Sequence, residues 1–410
     1  MSDSWRSVTI RSTLASHFSG AWGVDPKSDR PISTVLRSTD IDDDGHVNLE
    51  TGARRALSAR ERVAKALVSG DILLEASGGG PGKPVGRPAW FNGDDPNHYS
   101  ASNFFKVLRA DADQVDARFL LWKLLDLSHR PEIWHFQQQT TGIINLKFQD
   151  YLSARISAPP IPEQRRIAEI LDSVDAEVRA MEHTLAKLSS LRKGLLTELL
   201  IAQARTLDGV RVGVLGDFIA DWLSGGTPSK ANPRFWGGDV PWITPKDMKV
   251  DLLERTTDYL TERGALAGSR IAPGGAVFVV VRGMILAHTF PVTRFTSSAA
   301  FNQDVKALIP TPQLLPDYLK YWLIANSDAF LRLVGESTHG TKKLDLPDLK
   351  AVPAMIPPIA DQRHTLSVLQ EMDERVFVES RQLRKLRLRR SGLMADLLSG
   401  RVRVSGEATV

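Results

Sequence analysis

The sequence predicts a mixed α/β (α+β) fold built twice: two globular domains, each followed by a long α-helix, with the helices paired as an antiparallel coiled coil about an internal pseudo-two-fold. Three observations predict it. The stretch 159–200 returns at 357–398, and at a gapless offset of 198 residues the copies share 16 of 42 positions, which marks a duplicated unit. The regions before each copy, 1–158 and 206–356, consist of short apolar runs broken by glycine and proline clusters, the pattern of mixed globular domains. A chain of 410 residues with 42% hydrophobic residues is too long for one core and apolar enough for several.

In the first region, 71–75 and 104–108 read as strands and 118–127 as a helix. Pro159-Pro160 then enforces an extended entry, Pro162 suits a first helical turn, and Glu163 favours the positive end of a helix dipole. The apolar positions Ile167, Ile170, Leu171, Val174, Val178, Met181, Leu185, Leu188, Leu191, Leu195 and Leu199 step by three and four, drawing one stripe along a helix. Roughly forty residues at 1.5 Å each make a rod of about 60 Å, which needs a partner along its length. In the second region, 274–281 and 301–309 read as strands and 316–334 as a helix. The second long helix repeats the stripe with Leu369, Met372, Val376, Leu383, Leu386, Leu393 and Leu397. The expected domains are therefore 1–158, 159–205, 206–356 and 357–404. Antiparallel pairing would put the globules at the two ends of one rod, whose length then acts as a ruler; a parallel or intermolecular pairing of the helices is the alternative.

Bulk properties narrow the function. There are no cysteines, so disulfides, thiolate metal sites and cysteine nucleophiles are excluded, in keeping with a reducing cytoplasm. The N-terminus has no signal-peptide pattern, and the longest apolar run, 276–281, stops at Arg282, so a soluble cytoplasmic protein is expected. The net charge of +4 with pI near 9.2 leans toward an acidic partner, but 52 basic against 48 acidic residues is a mild excess.

The motifs for chemistry are weak. Ser77-Gly-Gly-Gly-Pro-Gly-Lys83 departs from a nucleotide-binding P-loop at its first glycine and at Pro84, and reads as a backbone loop bearing Lys83 and Arg87, either plain or touching phosphate. Asp40-Ile-Asp-Asp-Asp-Gly45 lacks the twelfth-position glutamate of a calcium loop and reads as an acidic turn. Asp317, Asp348 and Lys350 have the residue types of a metal nuclease, but the repeat puts Leu152 opposite Lys350. No metalloprotease helix, hydrolase elbow or dinucleotide fingerprint is present, so no catalytic residues and no metal ligands are assigned.

The richest polar and aromatic stretch, 224–248, supplies Thr227, Ser229, Lys230, Arg234, Thr244 and Lys246 for phosphates or base edges. Trp236 and Trp242 read first as anchors of that loop on the core, with Trp242 kept among the candidate contacts. Thr141 with Asn145 and Lys147, and His339 with Lys342 and Lys343, stand just upstream of each long helix, where solvated turns are the plain alternative. The segment 381–390 carries six basic residues and no acid, a solvated helix face or a contact with DNA or protein.

At this point the chain resembles the DNA-specificity (S) subunits of type I restriction–modification systems. The residues that carry the resemblance are Pro-Pro-Ile-Pro-Glu-Gln-Arg165 and Pro-Pro-Ile-Ala-Asp-Gln-Arg363 at the helix entries, Gly-Gly-Thr-Pro-Ser229, and Trp-Gly-Gly-Asp-Val-Pro-Trp-Ile-Thr-Pro-Lys-Asp-Met248. Arg282-Gly-Met-Ile-Leu-Ala287 and Phe301-Asn-Gln-Asp304 fit the same family.

The resemblance implies a non-catalytic subunit whose globules are target-recognition domains reading the halves of a split double-stranded DNA site. It implies DNA contacts from Ser77, Gly78, Lys83, Arg87, Thr141, Asn145 and Lys147 in the first domain, and from Thr227, Ser229, Lys230, Trp242, Thr244, Lys246, Arg282, His339, Lys342 and Lys343 in the second. It further implies that the helices set the spacer and dock two methyltransferase subunits, with Glu163, Gln164, Arg165, Asp361, Gln362 and Arg363 as docking positions. S-adenosylmethionine would serve those partners, and ATP and magnesium any restriction–translocation subunits that join them; this chain would bind no cofactor. The first domain lacks the Gly-Gly-Thr-Pro-Ser and Pro-Trp-Ile stretches, so residue assignment is weaker there. The competing expectations are a coiled-coil adaptor without DNA specificity and a nuclease built on Asp317, Asp348 and Lys350.

Overall fold

A computed structural model of the chain describes residues 5–26, 31–79, 82–95, 98–140, 142–202, 206–336 and 340–404. The chain forms two compact units, one of residues 1–181 with 382–410 and the other of residues 182–381. Each unit therefore contains one globular region, half of the first long helix, Ile161–Thr197, and half of the second, Ile359–Ser399.

In the first unit, a four-stranded sheet has the order Leu14–Ser19, Phe105–Ala110, Ile72–Glu75, Pro88–Trp90. A three-stranded sheet places Ile32–Leu36 between Ala53–Ala56 and Tyr99–Ala101, the latter pairing being parallel. A second three-stranded sheet joins Gln137–Thr140, Ile143–Leu146 and Ser77–Gly79. Helix Ala117–His129, N-capped by Asp116, buries Phe119, Leu120 and Leu124 in one core with Ile167, Leu171, Leu397 and Leu398 of the long helices.

The second unit repeats this plan. Its five-stranded sheet runs Ile219–Ser224, Val305–Pro310, Val277–Val280, Val292–Phe295, Leu252–Leu253. Its four-stranded sheet sets Trp236–Ile243 parallel to Ala299–Phe301, with Asp258–Leu260 and Ile271–Ala272 at the edges. Helix Pro316–Ala325 shares a core with Leu196, Leu200, Leu366 and Leu369.

Within the first unit the long-helix pairing is antiparallel: Glu163 bonds Arg403, while Asp175, twelve residues on, bonds Arg390, thirteen back. In the second, Arg192 meets Asp373 in the same sense. Ile167, Leu171, Val174, Val178 and Leu188 of the expected stripe are buried, whereas Leu191 is 53% exposed. At about 100° per residue the inward position after Leu188 falls nearer to residue 192, and Arg192 occupies it.

One strand and one helix differ from expectation. The stretch 301–309 divides between two sheets, because Asn302 turns the chain by bonding Ile243 O through its N–H and accepting from Asp304 N at 3.1 Å. The helix expected over 316–334 breaks at Asn326, whose side chain donates to Trp322 O at 2.8 Å and so competes with the helical ladder. Among the described residues no helix is long and apolar enough to cross a membrane, and no cluster of acidic and histidine side chains is arranged to hold a metal ion.

Candidate nucleic-acid interface

The clearest functional geometry is a turn found once in each unit. In the first, the chain leaves strand Ile32–Leu36 and folds over the buried carboxylate of Asp40. That carboxylate accepts from Arg37 N (2.7 Å), Arg37 Nε (3.0 Å), Arg37 Nη2 (2.9 Å) and Thr51 Oγ1 (2.9 Å). In the second, the chain leaves Trp236–Ile243 and folds over Asp247, which accepts from Thr244 N (2.9 Å), Thr244 Oγ1 (2.8 Å), Thr257 N (2.8 Å) and Thr257 Oγ1 (2.6 Å). Burial alone would raise both carboxyls, but these donors outweigh it and hold both below the ordinary aspartate range. The turns are thus rigid and charged at the base, with Ser38-Thr39 and Pro245-Lys246 at their tips; Thr39 and Lys246 are exposed.

The surrounding framework matches in several contacts. Lys106 Nζ donates to Ser19 Oγ, and Lys306 Nζ to Ser224 Oγ. The next residues are Gly20 and Gly225, where an added Cβ would lie 2.1 Å from the carbonyl oxygen of Ala101 or Phe301. Ser19-Gly20 is therefore the first unit's counterpart of Ser224-Gly225, the lead-in to Gly-Gly-Thr-Pro-Ser229. Beside each turn, a loop opens on a glycine at positive φ, Gly78 (119°) or Gly283 (137°), and a nearby strand closes against it through Leu146 N to Ala76 O or Leu344 N to Val281 O. Ser77 consequently bonds Asn145 at 2.6 Å, and Arg282 bridges Lys343. In the first unit these loops enclose a cleft of about 510 Å³ lined by Ser38, Thr39, Gly78, Lys83 and Arg87.

The sequence-selected residues fall into two groups. Gly78, Lys83, Lys147, Ser229, Lys230, Lys246, Arg282 and Lys343 are exposed. Thr227 is exposed but bonded to Gln303 at 2.6 Å, and Lys342 pairs with Glu336 at 2.9 Å. Thr141 and His339 lie outside the described residues.

Several assignments are corrected. Arg87 grips Glu75 through two nitrogens (2.8 and 3.0 Å) and also reaches Asp43 and Ser38 O, so its guanidinium braces the cleft wall. Trp242 is 4% exposed, donates to Gly226 O and meets Trp236 edge-on, making it a core anchor. Thr244 is buried on Asp247. Gln164 and Gln362 are fully buried: each accepts from the backbone N–H of the residue capping its domain helix, Asp116 or Leu315, and donates to Pro159 O or Pro357 O. They latch domain to helix and leave no surface for a partner. Glu163 is 6% exposed and held by Arg403 through two bonds of 2.7 Å, while Asp361 is half-buried; Arg165 and Arg363 remain exposed. For the nuclease reading, Asp317 pairs with Arg294 and Lys350 lies over the Trp222 ring.

The acidic turn has a role that its residue types alone did not disclose. Asp44, four residues past Asp40, bonds Arg390, which also bonds Asp175 at 2.7 Å; Asp251, four past Asp247, bonds Arg192 at 2.5 Å, which also bonds Asp373 at 2.6 Å. Arg192 and Arg390, like Asp175 and Asp373, are equivalent positions of the repeat. Each turn is therefore tied to the long helices of its own unit. The first unit adds His46, whose Nε2 lies 2.7 Å from Asp175 and Nδ1 2.9 Å from Asp42. Burial opposes its charge, but the two carboxylates prevail and lift it to about 9. The second unit places Tyr321 OH on Asp373 at 2.6 Å instead. The shared Asp-x-x-x-Asp spacing is the sequence signal for these turns.

Comparison with known proteins gives a consistent result. The family model described as type I restriction modification DNA specificity domain matches residues 54–190 and 208–387, more than half of the chain. The chain is 32% identical over 157 residues to the specificity subunit of the type I restriction enzyme EcoR124I/EcoR124II of Escherichia coli, covering 38% of this chain and 39% of that protein. It is 28% identical over 173 residues to the MjaIX specificity subunit of Methanocaldococcus jannaschii, covering 40% and 38%. The matched segments thus span about two fifths of the length of these relatives. The fold is similar to the type I restriction–modification S subunit from M. genitalium (TM-score 0.58, 14% identity, 97% and 96% covered). It is also similar to a chain from a structural study of a type I restriction–modification system (TM-score 0.56, 17% identity, 96% and 97% covered).

Proposed function

Because the chain belongs to the type I restriction–modification DNA-specificity family, we propose that it reads a bipartite double-stranded DNA target, one half with each unit, on behalf of methyltransferase subunits docked on its long helices. The observation that carries this reading is the repeated turn: one hydrogen-bonded scaffold, built around Asp40 and again around Asp247, presents different side chains at its tip. A rigid base with a variable tip suits base-edge readout, while the exposed Lys83, Lys230, Arg282 and Lys343 suit phosphate contacts that set position.

The chain itself does no chemistry on this reading. S-adenosylmethionine is used by the methyltransferase subunits, two of them given two equivalent units, and ATP and magnesium by any restriction subunits that join; the assembly works in the cytoplasm. The long helices, each passing from one unit into the other, fix the gap between half-sites.

Co-expression of the full chain with its host methyltransferase subunits, followed by single-molecule methylome sequencing, tests this. Methylation at one split motif is expected, and lengthening both long helices by a turn should change the gap while leaving each half intact. Absence of methylation at any split motif, with specific DNA retention also absent in a salt-graded gel shift, would refute the reading in favour of a plain adaptor.

A further inference from the structure

We infer that Thr39 and Lys246 are equivalent specificity-determining positions, each reading a base in the half-site of its own unit; the inference rests on the proposed DNA-reading function. Four framework contacts around one residue have counterparts around the other. Asp40 and Asp247 each accept the backbone N–H of the residue three before, Arg37 or Thr244. Each also accepts a threonine hydroxyl from further along the chain, Thr51 or Thr257. Asp44 and Asp251, four residues past each, grip equivalent arginines of the long helices. Ser102 N donates to Leu36 O just as Asn302 N donates to Ile243 O at the start of each turn. This correspondence puts Thr39 at the place of Lys246.

Both side chains are exposed, and neither is hydrogen-bonded to another described residue. The scaffold below them is rigid, so the tip reaches out without a conformational search. Thr39 also lines the cleft that carries Ser38, Gly78 and Lys83. The difference in residue type is what two different half-sites require. Lysine is a donor only and fits the paired acceptors of guanine, whereas threonine donates, accepts and offers a methyl group to thymine.

The full chain, co-expressed with its methyltransferase subunits, is compared as wild type, Thr39→Ala, Thr39→Lys and Lys246→Ala by methylome sequencing. Thr39→Ala should relax preference at one base of one half-site by about fivefold to tenfold, with the other half unchanged. Thr39→Lys should move that preference toward guanine, and Lys246→Ala should relax one base of the opposite half. An unchanged base preference in Thr39→Ala and Lys246→Ala would overturn the inference while leaving the split-site reading intact. So would a loss of methylation that is uniform across sequences, which marks a phosphate contact. A wild-type chain that methylates no split motif would instead remove the function on which the inference rests.

Discussion

Replacing His46 by Gln tests whether the acidic turn is held to the first long helix by a charged histidine. His46 sits between Asp42 and Asp175, with Arg390 on the far side of Asp175 and Arg179 3.9 Å from the same carboxylate. Its folded pKa of about 9, against an ordinary 6.5, is a raised value. The stabilisation it supplies is therefore complete below about pH 6.5 and is lost as pH rises through about 9. The shift is worth about 3 kcal/mol at pH 6, roughly 1 to 2 kcal/mol at pH 8 and close to zero at pH 10. His46→Gln keeps a polar side chain there and leaves Asp175 to Arg390, so the wild type minus variant difference should follow this curve.

The comparison must be a difference, because Lys123 acts with the opposite sign. Burial beside Leu398 O and the Trp5 ring pushes it down to about 8, with Asp126 opposing and Arg130 assisting. That penalty is present below about pH 8 and fades as pH rises toward 10.5, and it cancels between the two proteins. Urea unfolding followed by circular dichroism at pH 6, 8 and 10 gives the three differences. A difference that is flat across that range would refute a charged His46 bridge.

Gln164→Leu should cost about 2–3 kcal/mol by stranding Asp116 N and Pro159 O, read as a fall of several degrees in melting temperature, with the DNA target unchanged. Gly20→Ala and Gly225→Ala should each prevent their own unit from folding, since the new methyl would overlap a backbone carbonyl; hydrogen exchange resolved by unit would show protection lost on one side only. Trp242→Ala should destabilise the second unit by about 3–5 kcal/mol as a core cavity, measured as a lowered urea midpoint, and its effect on DNA binding should vanish once binding is measured on the folded fraction.

The duplication, the two long helices and the order of globule and helix follow from the sequence itself, because helical periodicity and an ungapped repeat are properties of near neighbours along the chain. The motifs of the second globule were legible for the same reason. The equivalence of the first globule's acidic turn to that of the second was not. Between the globules the offset is 205 residues at Ser19 and Ser224, 207 at Asp40 and Asp247, and 200 at Lys106 and Lys306, against 198 in the helices. Insertions of a few residues in the connecting loops scramble the linear match, while the strand pairings hold the same atoms in place.

Residue types also misled where one chemistry serves two roles. Gln164, Gln362, Arg87 and Trp242 look like recognition residues, yet their donors and acceptors are engaged inside the chain. Whether an exposed-looking polar group meets solvent or a buried carbonyl depends on contacts between residues far apart in sequence. The residues of 159–200 and 357–398 thus determined that there would be two long helices. Only the tertiary structure decided that Arg192 and Arg390 would clamp a turn of each domain to them, because that bond joins residues 59 positions apart in one unit and 346 in the other.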